Sequence, residues 1–335
     1  MPQKVTDDEF ISAWNRLKTP QGVSRVTGLT VRSVQGRRQR LIERGVTLVA
    51  NDNAKAYSPS SPQSMKAKAL HELAARRFTH MERDMDAVLE NGTALVFSDA
   101  HYWPGEPSVA HQALVALAKS LKPQLVIANG DVFDGARVSR HPRIGWEKAP
   151  SVREEIETVC ARLREVERAA PDAELIRTAG NHDLRFESYI AANAPELEGV
   201  HGTSLMDFLP HWRAGFALHI NRDSPGWTVV RHTHVAGGVH SAYNSTLRAG
   251  LSYVHGHLHK LQVVPFGDYR GRRYGVDTGT LAEPQGPQFG YTMCGPTNWC
   301  SGFAVLTFRD SRLLMPELVE VIGGEAWFRG ARVPL

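Results

Sequence analysis

The first fifty positions combine short apolar stretches with signals for helix starts. Thr6 with Glu9 three residues later is a capping-box pattern, and apolar side chains follow it at helical spacing. Thr19-Pro20 and Thr30 are two further start signals, and Gly28 lies in the turn between them. The pattern predicts three short helices, with a glycine-containing turn before the last one.

A change of pattern divides the rest of the chain. Residues 50–64 are polar and rich in proline and serine, which is typical of a linker. A long amphipathic helix is predicted over 65–91. The predicted organisation is therefore a small all-α domain over 1–49, a linker, and a large domain over 65–335.

From residue 93 onward, short β-rich runs alternate with helical periods. This alternation indicates βαβ units in a parallel or mixed sheet, so the large domain is expected to be α/β. The β-rich runs lie at 94–97, 125–127 and 175–177, and the helical periods lie near 107–121, 151–169 and 184–193. After residue 250 the signals are mostly those of strands and turns.

Composition narrows the class of protein. The 335 residues are 42% hydrophobic and 22% charged, as in soluble globular proteins, with no apolar run long enough to span a membrane. The three cysteines, Cys160, Cys294 and Cys300, form no CxxC, so neither a disulfide framework nor a thiolate metal site is indicated. A reducing cytoplasm and no membrane partner are expected.

Positive charge is concentrated at the N-terminus. Residues 1–50 have a net charge of +5, whereas the remaining residues sum to −1. Three short helices of which the last is basic resemble a helix-turn-helix module, and such charge asymmetry suggests a polyanionic partner. The alternative is a small helical cap with solvated arginines. The candidate nucleic-acid contacts are Arg32, Arg37, Arg40 and Arg44.

Five polar motifs follow predicted strands of the large domain. They are Ser98-Asp99-Ala100-His101, Asn129-Gly130-Asp131, Gly180-Asn181-His182-Asp183, His232-Thr233-His234 and Gly256-His257-Leu258-His259. In open α/β sheets, ligands bind at the carboxyl ends of strands, so these side chains are expected to share one edge. Burying them together is costly without cations. Imidazole, carboxylate and amide ligands without thiolate suit two divalent ions, Mn²⁺ first, with Fe or Zn²⁺ as alternatives.

Each motif is common alone, but their order is specific. It resembles the calcineurin-like metallophosphoesterase superfamily over about residues 93–285, including the later Asp277-Thr278-Gly279-Thr280-Leu281. The stretch 129–134 with Ser139-Arg140-His141 is similar to phage- and prophage-type members in particular. The resemblance implies a four-layer sandwich, with two mixed β-sheets packed face to face and flanked by helices, preceded here by the helix-turn-helix segment.

The resemblance also implies roles for the motif residues. The first metal would be held by Asp99, His101 and His259, the second by Asn181, His232 and His257, and Asp131 would bridge them. A hydroxide between the metals would attack phosphorus in line. His182 would protonate the leaving oxygen, and Asp183 would orient its ring.

Several residue roles stay open at this stage. His232 follows its strand directly and is the favoured ligand of the fourth motif, with His234 and then His240 as alternatives. Tyr102 and Trp103 could stack on a base or pack the rim. The arginines that could clamp phosphate oxygens, or simply be solvated, are Arg137, Arg140, Arg143 and Arg185.

Three functions are compatible with these motifs, because the superfamily's fold does not fix a substrate. The first is a nuclease or phosphodiesterase acting on DNA, supported by the basic N-terminal segment. The second is a phosphatase or phosphodiesterase for nucleotides, phosphoproteins or small molecules. The third is a non-catalytic DNA-binding regulator, which the intact ligand positions disfavour.

Overall fold

The structure is a computed structural model that describes residues 5–49, 81–141, 148–293 and 295–335. The chain divides into two compact units, Met1–Thr79 and His80–Leu335. Two predicted segments lie outside the described residues, the linker over 50–64 and the helix over 65–80. Arg143 and Cys294 lie outside them as well.

The N-terminal unit contains the three predicted helices. They are α1 Asp7–Leu17, α2 Pro20–Thr27 and α3 Val31–Glu43. Thr6, Thr19 and Thr30 cap their first turns, and the box between Thr6 and Glu9 is formed on both sides. One apolar cluster joins the helices, built from Phe10, Ala13, Trp14, Val23, Val34 and Leu41.

The second unit contains four further α-helices and fourteen strands among its described residues. The helices are α4 Val109–Leu121, α5 Val152–Ala169, α6 Arg185–Asn193 and α7 Ser241–Ala249. The strands are β1 Glu82–Ala87, β2 Gly92–Phe97, β3 Leu125–Asn129, β4 Glu174–Thr178, β5 Arg213–Ile220, β6 Thr228–Val230, β7 Ser252–His255, β8 Gln262–Asp268, β9 Gly271–Asp277, β10 Gly302–Arg309, β11 Arg312–Leu313, β12 Glu317–Ile322, β13 Glu325–Phe328 and β14 Ala331–Arg332. None of the described helices has the length and apolar composition that crossing a membrane requires.

The sequence prediction of a helix through residue 91 was wrong at its C-terminal end. Residues Glu82–Ala87 form a strand that pairs in parallel with β5. Met85 and Ala87 are buried while Asp84 and Asp86 are exposed, which is the two-residue period of a half-buried strand. Tertiary pairing with β5 therefore overrides the local helical pattern, as it often does for short segments.

The sheet is mixed, and its two halves face each other. The strands follow the order β14-β13-β12-β10-β2-β3-β4-β5-β6-β7-β9-β8 in one hydrogen-bonded ladder. Val96 and Ile127 from one half share a core with Val254 and Val276 from the other. The predicted α/β fold with face-to-face sheets is confirmed, with the difference that the two sheets are continuous through β5 and β6.

Helices cover the outer face of the first half. Leu95 and Phe97 point away from the inner core and pack with Leu114 of α4 and Leu163 of α5. Strand β2, which pairs in parallel with β3 and antiparallel with β10, is thus buried on both faces. The carboxyl ends of the parallel strands β2, β3 and β4 lie side by side, and those of β6 and β7 do likewise.

The inner core should carry much of the stability of this unit. Phe308 of β10 is fully buried there, so Phe308→Ala should lower the free energy of unfolding by about 3–5 kcal/mol. Phe216→Ala, at an exposed position of β5, is the matched control and should change it by less than about 1 kcal/mol. Urea denaturation measures both, and equal losses would contradict this assignment of the core.

Candidate metal centre

All five polar motifs begin where a strand ends. The first three follow β2, β3 and β4, and the last two follow β6 and β7. Backbone hydrogen bonds tie neighbouring turns together: the Asp99 amide donates to Gly130 O at 3.0 Å, and the Gly256 amide donates to His232 O at 3.0 Å. The motifs therefore form one connected edge, as the sequence predicted.

Two buried carboxylates form the centre of this edge. Asp99 and Asp131 are almost fully buried, and His232 lies between them. The Nε2 atom of His232 is 3.0 Å from Asp131 Oδ2 and 3.9 Å from Asp99 Oδ1. Because its Nδ1 atom is bonded to Asn129 O at 2.8 Å, the ring is fixed with Nε2 directed at both carboxylates.

The remaining imidazoles surround Asp99. His259 Nε2 lies 3.0 Å from Asp99 Oδ1, and His101 Nε2 lies 3.9 Å from the same oxygen. The backbone amide of His257 donates to Asp99 Oδ2 at 2.8 Å, and its ring packs edge-on against that of His232. Residues distant in sequence thus converge on the two carboxylates.

The backbone of this edge adopts a conformation that is uncommon outside glycine. Five of the seven predicted ligands have a positive φ: Asp99, His101, Asp131, His257 and His259. Left-handed backbone at non-glycine residues costs on the order of 1–3 kcal/mol each and is concentrated at functional sites. The fold holds these turns because each directs a side chain toward the same point.

Glycines in three motifs make room for side chains from other motifs. A Cβ atom on Gly130 would lie 2.5 Å from the His232 ring, and one on Gly180 would lie 2.0 Å from Asp131 Oδ1. A Cβ atom on Gly256 would lie 2.4 Å from Asp99 Oδ2. These glycines therefore serve close approach between motifs, in addition to the sharp turns that the sequence predicted.

His182 is held by a residue that the sequence analysis did not select. Its Nδ1 atom is 3.0 Å from Asp134 O and 3.2 Å from Asp134 Oδ1, and the same carboxylate bonds His101 Nδ1 at 3.0 Å. The Nε2 atom of His182 accepts a hydrogen bond from Arg185 Nη2 at 2.9 Å. The sequence signal for Asp134 was its position three residues after Asp131.

The expected role of Asp183 in orienting the His182 ring was wrong. Asp183 is buried and accepts the backbone amides of Asp131, Val132, Phe133 and Gly180 at 3.0–3.2 Å. The buried guanidinium of Arg177 lies 3.3 Å from Asp183 Oδ2. Asp183 therefore fixes the turn that carries Asp131, because its oxygens are fully engaged by backbone donors.

The carboxylates and imidazoles of the centre shift each other's pKa values. Burial opposes ionisation of Asp99, but His259 and His232 outweigh it and hold its pKa below the usual value. The same balance, dominated by burial and His232, lowers the pKa of Asp131. Burial opposes protonation of His232, yet the charges of Asp131 and Asp99 raise its pKa to about 10. Burial also opposes protonation of His182, but Asp134 and Asp131 raise its pKa.

The residues present fit divalent cations. Among the described residues, three groups place their potential ligand atoms within 4.8 Å of one another: Asp99–His101–His259, Asp131–His232–His257 and His101–Asp134–His182. His232 Nε2 is buried without a hydrogen-bond partner and lies 3.0 Å from Asp131 Oδ2, so this nitrogen is placed to be a ligand atom. Nitrogen and oxygen donors without thiolate suit Mn²⁺, Fe or Zn²⁺.

The other histidines of the fourth motif region are placed less favourably. His234 stacks on the His257 ring, with centroids 5.6 Å apart. His240 is exposed at the start of α7. The geometry therefore favours His232 for this motif. Asn181 lies in the same turn as His182, and its side chain is exposed at the rim.

The candidate phosphate-binding arginines have different surroundings. Arg137 donates to Ala149 O and Pro150 O at 3.0 and 2.9 Å, which leaves its guanidinium less available to a substrate. Arg140 is exposed, whereas Arg185 is half-buried against His182 and Asp134 O. Both line a groove next to Asn181.

Aromatic side chains border the centre, but not the pair singled out from sequence. Tyr102 is buried and its hydroxyl is 3.0 Å from His111 Nδ1, while Trp103 is only partly buried. Phe289 instead packs on the His101 ring, and Trp299 packs on the His259 ring with centroids 4.6 Å apart. Phe289 lies in the short 3-10 helix Pro287–Thr292 and Trp299 in irregular chain, and no sequence period marks either residue.

In the N-terminal unit, the four candidate arginines divide into two pairs. Arg37 donates to Asp7 Oδ1 at 2.6 Å, and Arg44 donates to Asp7 Oδ2 at 3.0 Å. Arg32 and Arg40 are exposed on α3, and Arg40 bonds the carbonyl of Gly36 in its own helix. The second pair is thus better placed to contact a partner.

Comparison with known proteins agrees with this site. The model of the calcineurin-like phosphoesterase family matches residues 92–261, half of the chain and all five motifs. The chain belongs to the calcineurin-like phosphoesterase family, and it is accordingly a metal-dependent phosphoester hydrolase.

The chain is also similar to two phage proteins and to two solved structures. The chain is 29% identical over 233 residues to the Gene 54 proteins of Mycobacterium phages L5 and D29, which covers 64% of this chain and 88% of each relative. Vps29 from Entamoeba histolytica, solved with zinc, matches with TM-score 0.40 and 15% identity, covering 72% of this chain and 99% of that one. Vps29 from Chaetomium thermophilum matches with TM-score 0.38 and 10% identity, covering 72% and 91%.

Close approach between motifs can be tested at Gly180. Gly180→Ala places a methyl group against the Asp131 carboxylate and should weaken Mn²⁺ binding at least about tenfold while the fold persists. Gly267→Ala, where a Cβ atom meets nothing within 4 Å, is the control. Titration calorimetry with Mn²⁺ and circular dichroism provide the measurements, and unchanged affinity in Gly180→Ala would contradict the expected crowding.

Proposed function

We propose that the protein is a dinuclear metal-dependent phosphodiesterase that acts on DNA. The observation that carries the proposal is the pair of buried carboxylates, Asp99 and Asp131, with His232 directed at both. Asp99, His101 and His259 would form one cation position, and His232, His257 and the Asn181 side chain would form the other. Asp131 would bridge the two positions.

The chemistry divides between the cations and the chain. Two divalent cations, Mn²⁺ first, would withdraw charge from the phosphoryl oxygens and make water a stronger nucleophile for in-line attack. Asp99 and Asp131 hold negative charge in place without solvent. Asp134 orients the rings of His101 and His182 by hydrogen bonds. Asp183 fixes the turn that carries Asp131.

His182 is the proposed general acid. Its Nδ1 atom is bonded to Asp134, so Nε2 is the nitrogen that can face a leaving oxygen. Arg185 donates to that nitrogen here, and a phosphate oxygen is a stronger acceptor for a guanidinium than a neutral imidazole. Substrate should therefore draw Arg185 away, and Nε2 can then take up from solvent the proton that it donates to the leaving oxygen.

His182→Ala should bind metal normally but lose about 10²–10⁴-fold in kcat on a diester with an unactivated leaving group. The loss should be much smaller for a p-nitrophenyl ester, because p-nitrophenolate leaves without protonation. Asp134→Asn should show the same leaving-group dependence. His201→Ala, which changes an exposed histidine, is the control. Full turnover of an unactivated diester by His182→Ala would exclude this role.

The N-terminal unit supports DNA as the substrate. Helix α3 has no acidic residue before Glu43, and it exposes Arg32, Gln35, Gln39 and Arg40. Arginine binds phosphate oxygens of DNA, and arginine and glutamine also pair with base edges in the major groove. The similarity to proteins of mycobacterial phages supports action in the cytoplasm of a bacterial or phage-infected cell.

One set of assays separates the candidate functions. The Mn²⁺-loaded full chain is tested on bis(p-nitrophenyl) phosphate, p-nitrophenyl phosphate, and linear and circular DNA, with Asp131→Asn as the blank. We expect hydrolysis of the diester and DNA. Activity on the monoester alone would favour a phosphatase, and no activity with tight DNA binding would favour a regulator.

DNA affinity should depend on Arg32 and Arg40. Each phosphate contact contributes about 0.9 to the slope of log K against log salt, so Arg32→Ala/Arg40→Ala should reduce the slope by about 2. Arg312→Ala/Arg332→Ala removes the same charge from the other unit and serves as the control. Fluorescence anisotropy with a duplex between 50 and 200 mM salt measures the slope; an identical slope in both double variants would refute the contact.

A further inference from the structure

We propose that a groove beside His182 binds the nucleoside that leaves during cleavage, and its next phosphate. The groove lies between the segment 138–141 and the outer face of α6 and has a volume of about 470 Å³. We call it the leaving-group groove, and its relevant lining residues are Arg140, Asn181, Arg185, Ser188, Tyr189 and Asn193. The inference rests on the proposed phosphodiesterase function and names the substrate group that its site would accept.

Position is the first argument. Arg185 lines the groove, and its Nη2 atom also donates to His182 Nε2 at 2.9 Å. Asn181, the neighbour of His182, lines the groove as well. Because a general acid contacts the leaving oxygen, the group attached to that oxygen extends from His182 into the adjoining space. The leaving-group groove is that space.

Chemistry is the second argument. The described lining carries two guanidinium groups and no carboxylate, which suits a polyanion. Tyr189 is 45% exposed, so its ring is accessible to a ligand in the groove. A base can stack on an exposed tyrosine ring without sequence preference. Arg140 lies at the exposed edge, where the next phosphate of a chain would pass.

Helix α6 explains how these groups are presented together. Arg185, Tyr189 and Asn193 are spaced by four residues and therefore share one face of the helix. The Asn193 side chain donates to Tyr189 O at 2.9 Å, which fixes the last turn. No residue of α6 is fully buried, so this helix serves the surface more than the core.

Size is consistent with this occupant. A groove of about 470 Å³ falls within the range of roughly 300–1,000 Å³ that is usual for small-molecule sites. The alcohol released from a small monoester would fill only a small part of the leaving-group groove. A nucleoside with one further phosphate has both a ring for Tyr189 and a charge for Arg140.

The test compares two diesters in the Mn²⁺-loaded full chain. In dithymidine monophosphate the leaving group is a nucleoside, whereas in thymidine p-nitrophenyl phosphate it is p-nitrophenolate. Tyr189→Ala should raise the ratio of the two KM values, dithymidine over p-nitrophenyl ester, by about tenfold, because base stacking is lost from one substrate. Tyr189→Phe should restore the ratio, since stacking needs the ring and not the hydroxyl.

Arg140 is tested with a second pair of substrates. Arg140→Ala should raise the KM of dithymidine carrying a phosphate on its leaving nucleoside several-fold relative to plain dithymidine. Tyr269→Ala and Arg270→Ala change exposed residues in the turn between β8 and β9 and should leave every ratio unchanged.

The outcomes separate the two proposals. A wild-type chain that hydrolyses neither diester above the Asp131→Asn blank would refute the proposed function itself. A chain that hydrolyses both, with ratios unaltered in Tyr189→Ala and Arg140→Ala, would overturn the leaving-group groove alone. A ratio that changes equally in Tyr189→Ala and Tyr189→Phe would show a structural effect and would also overturn it.

Discussion

Two negative charges buried beside one another govern the architecture of the large unit. Asp99 and Asp131 are shielded from water and within 4 Å of a single imidazole nitrogen. Buried charges of like sign are tolerated only with compensating positive charge or cations. The imidazoles and amides that approach these carboxylates, and the glycines that make the approach possible, are consequences of that requirement.

The same requirement accounts for the unusual backbone of the strand ends. A strand that ended in an ordinary turn would direct its next side chain toward solvent or along the sheet edge. The left-handed residues Asp99 and Asp131 instead direct carboxylates inward, and amides of the neighbouring turns bond to them and to Asp183. The segment 277–281 stabilises the backbone at Asp99, since Thr280 Oγ1 donates to Asp99 O at 2.7 Å. The backbone strain at Asp99 and Asp131 is thus offset by hydrogen bonds that these two residues themselves make.

In the N-terminal unit, some arginines form ion pairs or pack on the core, and others are exposed. A count of arginines does not distinguish the two groups. Asp7 engages Arg37 and Arg44, which ties the start of α1 to the end of α3. Arg37 and Arg38 also lie over the rings of Phe10 and Trp14, so their stems cover the small core. On α3, Arg32 and Arg40 are exposed and form no ion pair in the described part of the chain.

The sequence by itself determined the features that depend on neighbouring residues. The caps at Thr6, Thr19 and Thr30, the α/β alternation and the position of each motif after a strand could be predicted because they follow from local propensity and period. The order of the motifs was enough to indicate a metal-dependent phosphoesterase.

Only the tertiary structure decided which side chains meet across the fold. Asp134 rather than Asp183 contacts His182, Glu82–Ala87 pairs with β5 instead of continuing a helix, and Tyr189 and Arg140 line one groove. Such contacts join residues tens of positions apart, and their geometry is set by how the strands and helices pack together, which no local pattern encodes.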